Sequence, residues 1–258
     1  MNEDRRSFLK LAGLCALGVG AKPVTDAMAG SGQSPYSSKP RALQAKRWGM
    51  VVDVKTCQEK IAKDQCRDCI AACHITHNVP EIEGAKEEIK WIWQTPYEHA
   101  FPGQVDEFAQ LTGTPFMVLC NHCDNPPCVR VCPTKATFKR EDGVVMMDFH
   151  RCIGCRYCMA ACPFGARSFN FQDPRPFIKE VRTEFPTRMR GVVEKCNFCA
   201  ERLADGLQPA CVEACKPKAL IFGDLEDPDS DVRRALRGKY AIRRKTFLGT
   251  RPSVLYLV

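Results

Sequence analysis

Residues 152–163 read Cys152-Ile-Gly-Cys155-Arg-Tyr-Cys158-Met-Ala-Ala-Cys162-Pro163: four cysteines separated by two, two and three residues and closed by a proline. Working outward, the same Cys-x3-Cys ending recurs three more times. Upstream stand Cys120, Cys123, Cys128 and Cys132, spaced C-x2-C-x4-C-x3-C and followed by Pro133. Before them come Cys57, Cys66, Cys69 and Cys73, spaced C-x8-C-x2-C-x3-C, and downstream lie Cys196, Cys199, Cys211 and Cys215, spaced C-x2-C-x11-C-x3-C. The sixteen account for all but Cys15 of the 17 cysteines in 258 residues. The four groups are called runs one to four in chain order.

Run three has the spacing that holds [4Fe-4S] clusters in pairs, the fourth cysteine ligating the other cluster of the pair. Three thiolates in so short a loop wrap one corner of a cubane and leave backbone N–H groups facing its sulfides. The fourth cysteine, on a short helix, is turned away from them. Pro133 and Pro163 fix φ at that point and remove a donor. Runs one and four carry His74 and Lys216-Pro217 after their last cysteine instead, which leaves their local geometry open. Four runs imply four [4Fe-4S] clusters, with iron held through all sixteen thiolates.

Three other uses of cysteine compete. Structural zinc takes four cysteines, commonly as two Cys-x2-Cys pairs across a longer loop, a pattern nearer to run four than to run three. Disulfides suit exported proteins, but not one exported already folded around its cofactors. A c-type haem needs C-x-x-C-H, whereas Cys69 and Cys73 enclose three residues before His74.

The N-terminus is what raises export. Asp4-Arg-Arg-Ser-Phe-Leu-Lys10 precedes an apolar stretch rich in Gly and Ala, then Lys22 and the small-x-small pattern Ala27-Met-Ala29. This resembles a twin-arginine signal peptide over residues 1–29, with Cys15 discarded alongside it. Gly13, Gly18 and Gly20 disfavour a stable amphipathic helix there. The apolar run from Leu11 to Ala21 is also too short for a membrane span, which needs roughly 20 residues. Mature protein is therefore expected to be periplasmic, without a span of its own.

Charge supplies an independent check. The chain carries 38 Lys and Arg against 30 Asp and Glu, a formal charge of +8 that becomes +7 once the signal is removed. Four [4Fe-4S] clusters with their thiolates would bring roughly −8, so the basic excess offsets inorganic charge and nucleic-acid binding recedes.

Residues 30–47, mostly Ser, Pro, Gly and basic, read as a flexible leader. Strands are expected at Met50–Val54, Glu88–Gln94, Pro115–Leu119 and Ala219–Phe222, and a hairpin at Ala136–Lys139 and Val144–Met147 around Glu141-Asp-Gly143. Ser230 would cap a helix from Asp231 to Arg237, ended by Gly238. The cysteine runs thus fall at strand-to-helix junctions. Repetition of strand, cysteine run and short helix predicts an α+β fold of two bacterial-ferredoxin-like units, each holding two clusters.

Run order, together with Lys195-Cys-Asn-Phe-Cys and Pro209-Ala-Cys-Val-Glu-Ala-Cys, resembles the four-cluster electron-transfer subunits of molybdenum oxidoreductases and NrfC-type complexes over residues 48–225. The resemblance implies two interleaved modules: an inner one at 115–182 with runs two and three, and an outer one from 48–114 and 183–258 with runs one and four. It further implies ligand sets Cys120, Cys123, Cys128 with Cys162; Cys152, Cys155, Cys158 with Cys132; Cys57, Cys66, Cys69 with Cys215; and Cys196, Cys199, Cys211 with Cys73. Within the family, Ala72-Cys-His-Ile-Thr-His-Asn-Val-Pro80, Arg167-Ser-Phe-Asn and Asp173-Pro-Arg-Pro-Phe look like the DsrO type, the extracytoplasmic subunit of DsrMKJOP complexes in sulfur metabolism. That implies an NrfD-like, quinone-reactive membrane subunit (DsrP-like), a multihaem cytochrome c (DsrJ-like) and other Dsr subunits as partners. The alternative is the electron wire of a molybdopterin enzyme acting on thiosulfate, polysulfide or a sulfoxide. A zinc-structured interaction module stands further off. Neither main reading gives the chain a substrate site or a catalytic residue.

Other residues have simpler expected roles. His74 and His77 are read as helix-end histidines making ordinary hydrogen bonds. Trp91 and Trp93, two apart, would share one strand face over apolar surface. Arg233, Arg234, Arg237, Lys239, Arg243, Arg244 and Lys245 read first as a solvated face, and otherwise as a docking surface for an acidic partner or lipid headgroups.

Overall fold

Trp48-Gly-Met-Val-Val-Asp forms strand β1 (Trp48–Asp53), almost wholly buried. The computed structural model describes residues 39–104 and 111–258, so the expected signal peptide and residues 30–38 of the expected leader lie outside the described residues. After β1 come α1 (Val54–Asp64), α2 (Asp68–Thr76), β2 (Ile92–Pro96), α3 (Tyr97–Ala100), β3 (Pro115–Leu119) and α4 (Pro127–Arg130). Then follow β4 (Thr137–Lys139), β5 (Val145–Met147), α5 (Tyr157–Ala160), β6 (Ser168–Phe169) and β7 (Val193–Glu194). The chain ends with α6 (Ala200–Ala204), α7 (Ala210–Glu213), β8 (Leu220–Asp224), α8 (Asp231–Leu236), β9 (Ala241–Ile242) and β10 (Val254–Leu257). Short helices mixed with short strands make this an α+β fold.

One four-stranded sheet, ordered β8-β1-β10-β9, closes the chain on itself. β1 pairs antiparallel with β8, Met50 opposite Phe222, and parallel with β10, Met50 opposite Val254. Both faces of β1 are covered, which is why it reads as a continuous apolar run. Trp48, Met50 and Val52 face the main core, while Val51 turns to the other side with Leu225, Val232 and Leu255 beneath α8. Ser230 caps α8 as expected, its hydroxyl accepting from the Arg233 N–H. Gly49 is required where it stands, because a Cβ there would lie 2.5 Å from Leu225 and 2.8 Å from the Ser253 carbonyl.

Three two-stranded ribbons complete the frame. β4 and β5 form the expected hairpin, Thr137 opposite Met147, turning at Gly143 with φ +83°. β2 pairs with β3, and β6 with β7. The strand expected at Glu88–Gln94 begins later, at Ile92, where pairing with Leu119 starts. Residues before it are engaged elsewhere: the Lys90 N–H donates to Ser168 Oγ. Trp91 is therefore not on the strand face that carries Trp93. Its indole stacks on His77 and its Nε1 donates to the buried Glu194, whereas Trp93 packs beside Cys123, Phe164 and Ala166.

Residues 39–47, expected to be leader, pack on the body of the protein. Leu43 N–H donates to the Leu203 carbonyl, Lys46 and Arg47 N–H donate to Asp224, and Leu43 and Ala45 join the core. No helix among the described residues is long and apolar enough to cross a membrane.

Candidate functional site

Local structure delivers each cysteine. The Asp53 side chain caps α1 by accepting from Thr56 N–H, which puts Cys57 in the helix's first turn. Gln65 ends α1 in the left-handed conformation and presents Cys66 directly after it. Cys69 and Cys73 sit four apart on α2, hence on one face. Helices α4, α5 and α7 carry Cys128, Cys158 and Cys211.

Past the last cysteine, three runs make the same turn. Lys135, Gly165 and Lys218 N–H groups return to the carbonyls of Cys132, Cys162 and Cys215, each from a residue with φ between +54° and +64°. Run four turns like runs two and three although its proline comes one residue later. Run one differs, because α2 continues to Thr76 and the left-handed position falls at Asn78.

The thiols gather in four sets drawn from different parts of the chain. Cys57, Cys66, Cys69 and Cys215 line one small cleft. Cys73 leaves run one to join Cys196, Cys199 and Cys211. Cys123 lies with Cys120, Cys128 and Cys162, and Cys132 with Cys152, Cys155 and Cys158. Adjacent sets feel one another's charge in succession, Cys158 that of Cys128, then Cys196 that of Cys120, then Cys211 that of Cys69. For reference they are the 152, 120, 196 and 57 sets.

Electrostatics shows what such sets need. Burial, then the charges of Cys215 and Cys66, pushes the Cys57 thiol up to about 11. Burial and neighbouring thiols take Cys69, Cys123 and Cys196 to about 12, and burial first, then neighbouring thiols, raises Cys73, Cys199 and Cys211 well above the usual thiol range. Four thiolates packed together are stable only around a compensating cation, and binding one drives their deprotonation. Some sulfurs already accept hydrogen bonds: Phe198 N–H to Cys196 Sγ and Ala210 N–H to Cys199 Sγ, both 3.4 Å. At Cys132 burial is outweighed by hydrogen bonds from Thr137, Thr134 and Ala136, which leave its thiol below the usual range.

Orphaned donors surround the 120 set. His122, stacked on Phe198 with centroids 3.6 Å apart, accepts from Val145 N–H at Nδ1, so its Nε2 carries the proton and has no partner. Burial, then the charges of Lys195 and Arg167, keeps its ring neutral. The Asn121 side chain is likewise buried without a partner, and Arg167 Nε and Nη2 and Thr250 Oγ1 have only the sulfurs of Cys128, Cys158 and Cys123 to face. Buried donors are rarely left so, and an acceptor-rich sulfide cluster is the kind of group that would take them up. Thiolate sets with unpaired donors beside them therefore fit [4Fe-4S] clusters better than zinc, which has no acceptor atoms to offer.

His77 makes the ordinary hydrogen bonds expected of it: one ring nitrogen faces the Cys73 carbonyl at 2.9 Å and the other Glu201 at 2.7 Å. With Cys199 these two residues bring three ligand atoms within 4.8 Å of one another, but each is already satisfied and they form no separate metal site. His74 lies in α2 with its Nε2 unpartnered, and burial lowers its pKa. The basic segment is not uniformly solvated. Arg244 is buried, donates to the Ala100 carbonyl at 2.9 Å and lies over the Phe164 ring, while Lys245 reaches the Pro163 carbonyl.

Lys195 and Arg167 were part of the sequence resemblance without a role of their own. Both prove to be buried among thiols. Nothing in their spacing distinguishes them from surface cations; a basic residue directly before a Cys-x2-Cys, as at Lys195, is the one signal available.

The profile of the 4Fe-4S dicluster domain family matches residues 113–175 and 181–225. The chain is 40% identical to the Hdr-like menaquinol oxidoreductase iron-sulfur subunit 1 of Archaeoglobus fulgidus, over 98% of this chain and 97% of that one. It is 36% identical to a tetrathionate reductase subunit of Salmonella typhimurium, covering 100% and 89% of the two chains. To the menaquinone reductase iron-sulfur cluster-binding subunit of Nitratidesulfovibrio vulgaris it is 37% identical, over 82% and 88%.

Proposed function

Because the chain belongs to the NrfC- and DmsB-like iron-sulfur subunits of quinone- and molybdopterin-linked oxidoreductase complexes, which transfer electrons and do not house the catalytic site, we propose that it is a four-cluster electron wire. The observation that carries this reading is the succession of four thiol sets, each within electrostatic reach of the next. Each set would hold one [4Fe-4S] cluster, a one-electron centre whose potential follows burial, charge and hydrogen bonds to sulfur. The chain's own part is to fix the order of the sites, exclude water from the inner two and supply the donors. In this reading residues 115–182 form the inner ferredoxin-like module, and 48–114 with 183–258 the outer one.

We further infer a DsrO-type setting: export by the twin-arginine route, attachment to an NrfD-like membrane subunit that reacts with quinone, and exchange with a multihaem cytochrome c and other Dsr subunits. Relatives named for menaquinol oxidation and menaquinone reduction support the quinone side. The relative named as a subunit of tetrathionate reductase favours the second reading, the electron wire of a reductase acting on an oxidised sulfur compound. Purification of the tagged chain from its native membranes decides between them. A haem-containing complex with a polytopic subunit and no molybdenum supports the first, and stoichiometric molybdenum supports the second.

A further inference from the structure

Two cations occupy the junctions between thiol sets. The Arg167 guanidinium is within hydrogen-bond reach of Cys128 in the 120 set and of Cys158 in the 152 set, and its Nη1 lies 3.9 Å from the sulfur of Met147, which packs with both. Lys195 reaches the Cys196 backbone in the 196 set, and burial lowers its pKa while the thiols of Cys120 and Cys128 in the 120 set, with Cys196, act against burial and the like charge of Arg167. Each is buried, 5% and 1% exposed. Lys195 Nζ donates to the carbonyls of Val145 and Cys196. Arg167 Nη1 donates to Thr137 Oγ1 at 3.0 Å, and its Nε and Nη2 have only the Cys128 and Cys158 sulfurs to face.

Burying a cation is costly unless an anion compensates it. Arg188 shows the usual solution in this protein, a direct pair with Glu194 at 2.7 Å. Among the described residues neither Arg167 nor Lys195 has a carboxylate partner, and the anions beside them are thiols. At the third junction the groups acting most strongly on Cys69 and Cys73 after burial are other thiols.

We propose that Arg167 and Lys195 are positioning residues for charge, each lodged between two neighbouring clusters and raising the reduction potential of both. The inference rests on the four-cluster reading. Reduction adds one negative charge to a cluster inside a medium that screens poorly, so a reduced cluster opposes reduction of its neighbour. A fixed cation at the junction favours the reduced form on either side and softens that opposition. The 120 set would feel both cations, the 152 and 196 sets one each, and the 57 set neither.

The test is an EPR-monitored redox titration of the anaerobically purified full mature chain as wild type, Arg167→Gln, Lys195→Gln and the double variant. Each single variant should lower two of four potentials, each by at least tenfold in the reduction equilibrium, about 59 mV. The double variant should lower three, one of them by the most, and leave the fourth in place. Arg167→Lys and Lys195→Arg should lie closer to wild type. Full iron and sulfide with no potential moved, or with all four moved alike, overturns the proposal and leaves the four-cluster reading standing. Wild-type protein without iron and sulfide would defeat that reading itself. Should the Gln variants fail to load, wild-type protein labelled with ¹⁵N only in Lys and Arg side chains decides: side-chain nitrogen hyperfine coupling to reduced clusters is expected, and its absence overturns the proposal.

Discussion

Arg188 Nη2 lies 2.7 Å from Glu194 Oε2, and neither side chain reaches solvent. The pair is the centre of a network: Glu194 also accepts from Trp91 Nε1 at 2.9 Å and Asn170 Nδ2 at 2.7 Å, and Arg188 donates to the carbonyls of His77 and Asn78. Through it β7 is tied to the end of α2, just past Cys73. Removing one partner leaves the other charge buried alone, a loss of about 3–5 kcal/mol. Glu194→Gln is expected to lower the midpoint of thermal unfolding steeply and to reduce iron loading, while Lys90→Gln, at a partly exposed site, should do neither. Anaerobic thermal scans with iron analysis check this.

Gly154, inside run three, has φ +69°, and a Cβ there would collide with the Gly191 carbonyl. Gly165 has φ +64° with open space where its Cβ would be. Gly165→Ala should therefore cost only the left-handed penalty, about 1–2 kcal/mol. Gly154→Ala adds a clash with backbone that must shift the loop bearing Cys152 and Cys155. Its expected outcome is loss of about one cluster's iron in four, read by iron and sulfide analysis beside Gly165→Ala.

Tyr256 is fully buried with its hydroxyl unpartnered, and burial, against the opposing charge of Arg244, pushes its pKa up to about 12. A buried hydroxyl without a partner costs about 1–3 kcal/mol. Tyr256→Phe keeps the ring's edge contact with Phe101 and should leave the protein as stable as wild type or more so. A clear fall in melting temperature would show that the hydroxyl has a partner.

Strand β10 lies beside β1 in the middle of the sheet, with Val254 and Tyr256 in the main core and Leu255 and Leu257 on the face under α8. Val254→Asp would bury an unpaired carboxylate there. Such a chain is expected to be insoluble or to melt far below wild type, whereas Val258→Asp, at an exposed position, should behave normally. Expression and thermal scans compare the two.

Where the sequence was readable, the information was local. A cysteine run specifies its own loop, so the hairpin between Thr137 and Met147 and the cap at Ser230 could be found from a few neighbouring residues. β9 and β10 leave no such local mark, because Val254-Leu-Tyr-Leu has no polar alternation and a strand covered on both faces looks like any short apolar stretch. The strand near Trp91 was placed early for a different reason: alternation continues through Lys90, but tertiary contacts with Ser168, His77 and Glu194 take those residues out of the sheet. Arg167, Arg188, Lys195 and Arg244 belong to the basic excess, and nothing in composition separates a buried cation from one in water. Residues 39–47 read as leader because Ser, Pro and basic side chains hide the two apolar anchors, Leu43 and Ala45.

The most direct test of a four-cluster wire is the iron, acid-labile sulfide and zinc content of anaerobically purified protein, with its visible spectrum before and after dithionite. About sixteen iron and sixteen sulfide per chain, with broad absorbance that bleaches on reduction, is the expected result. About four zinc ions in a colourless protein would contradict it and leave a structural metalloprotein.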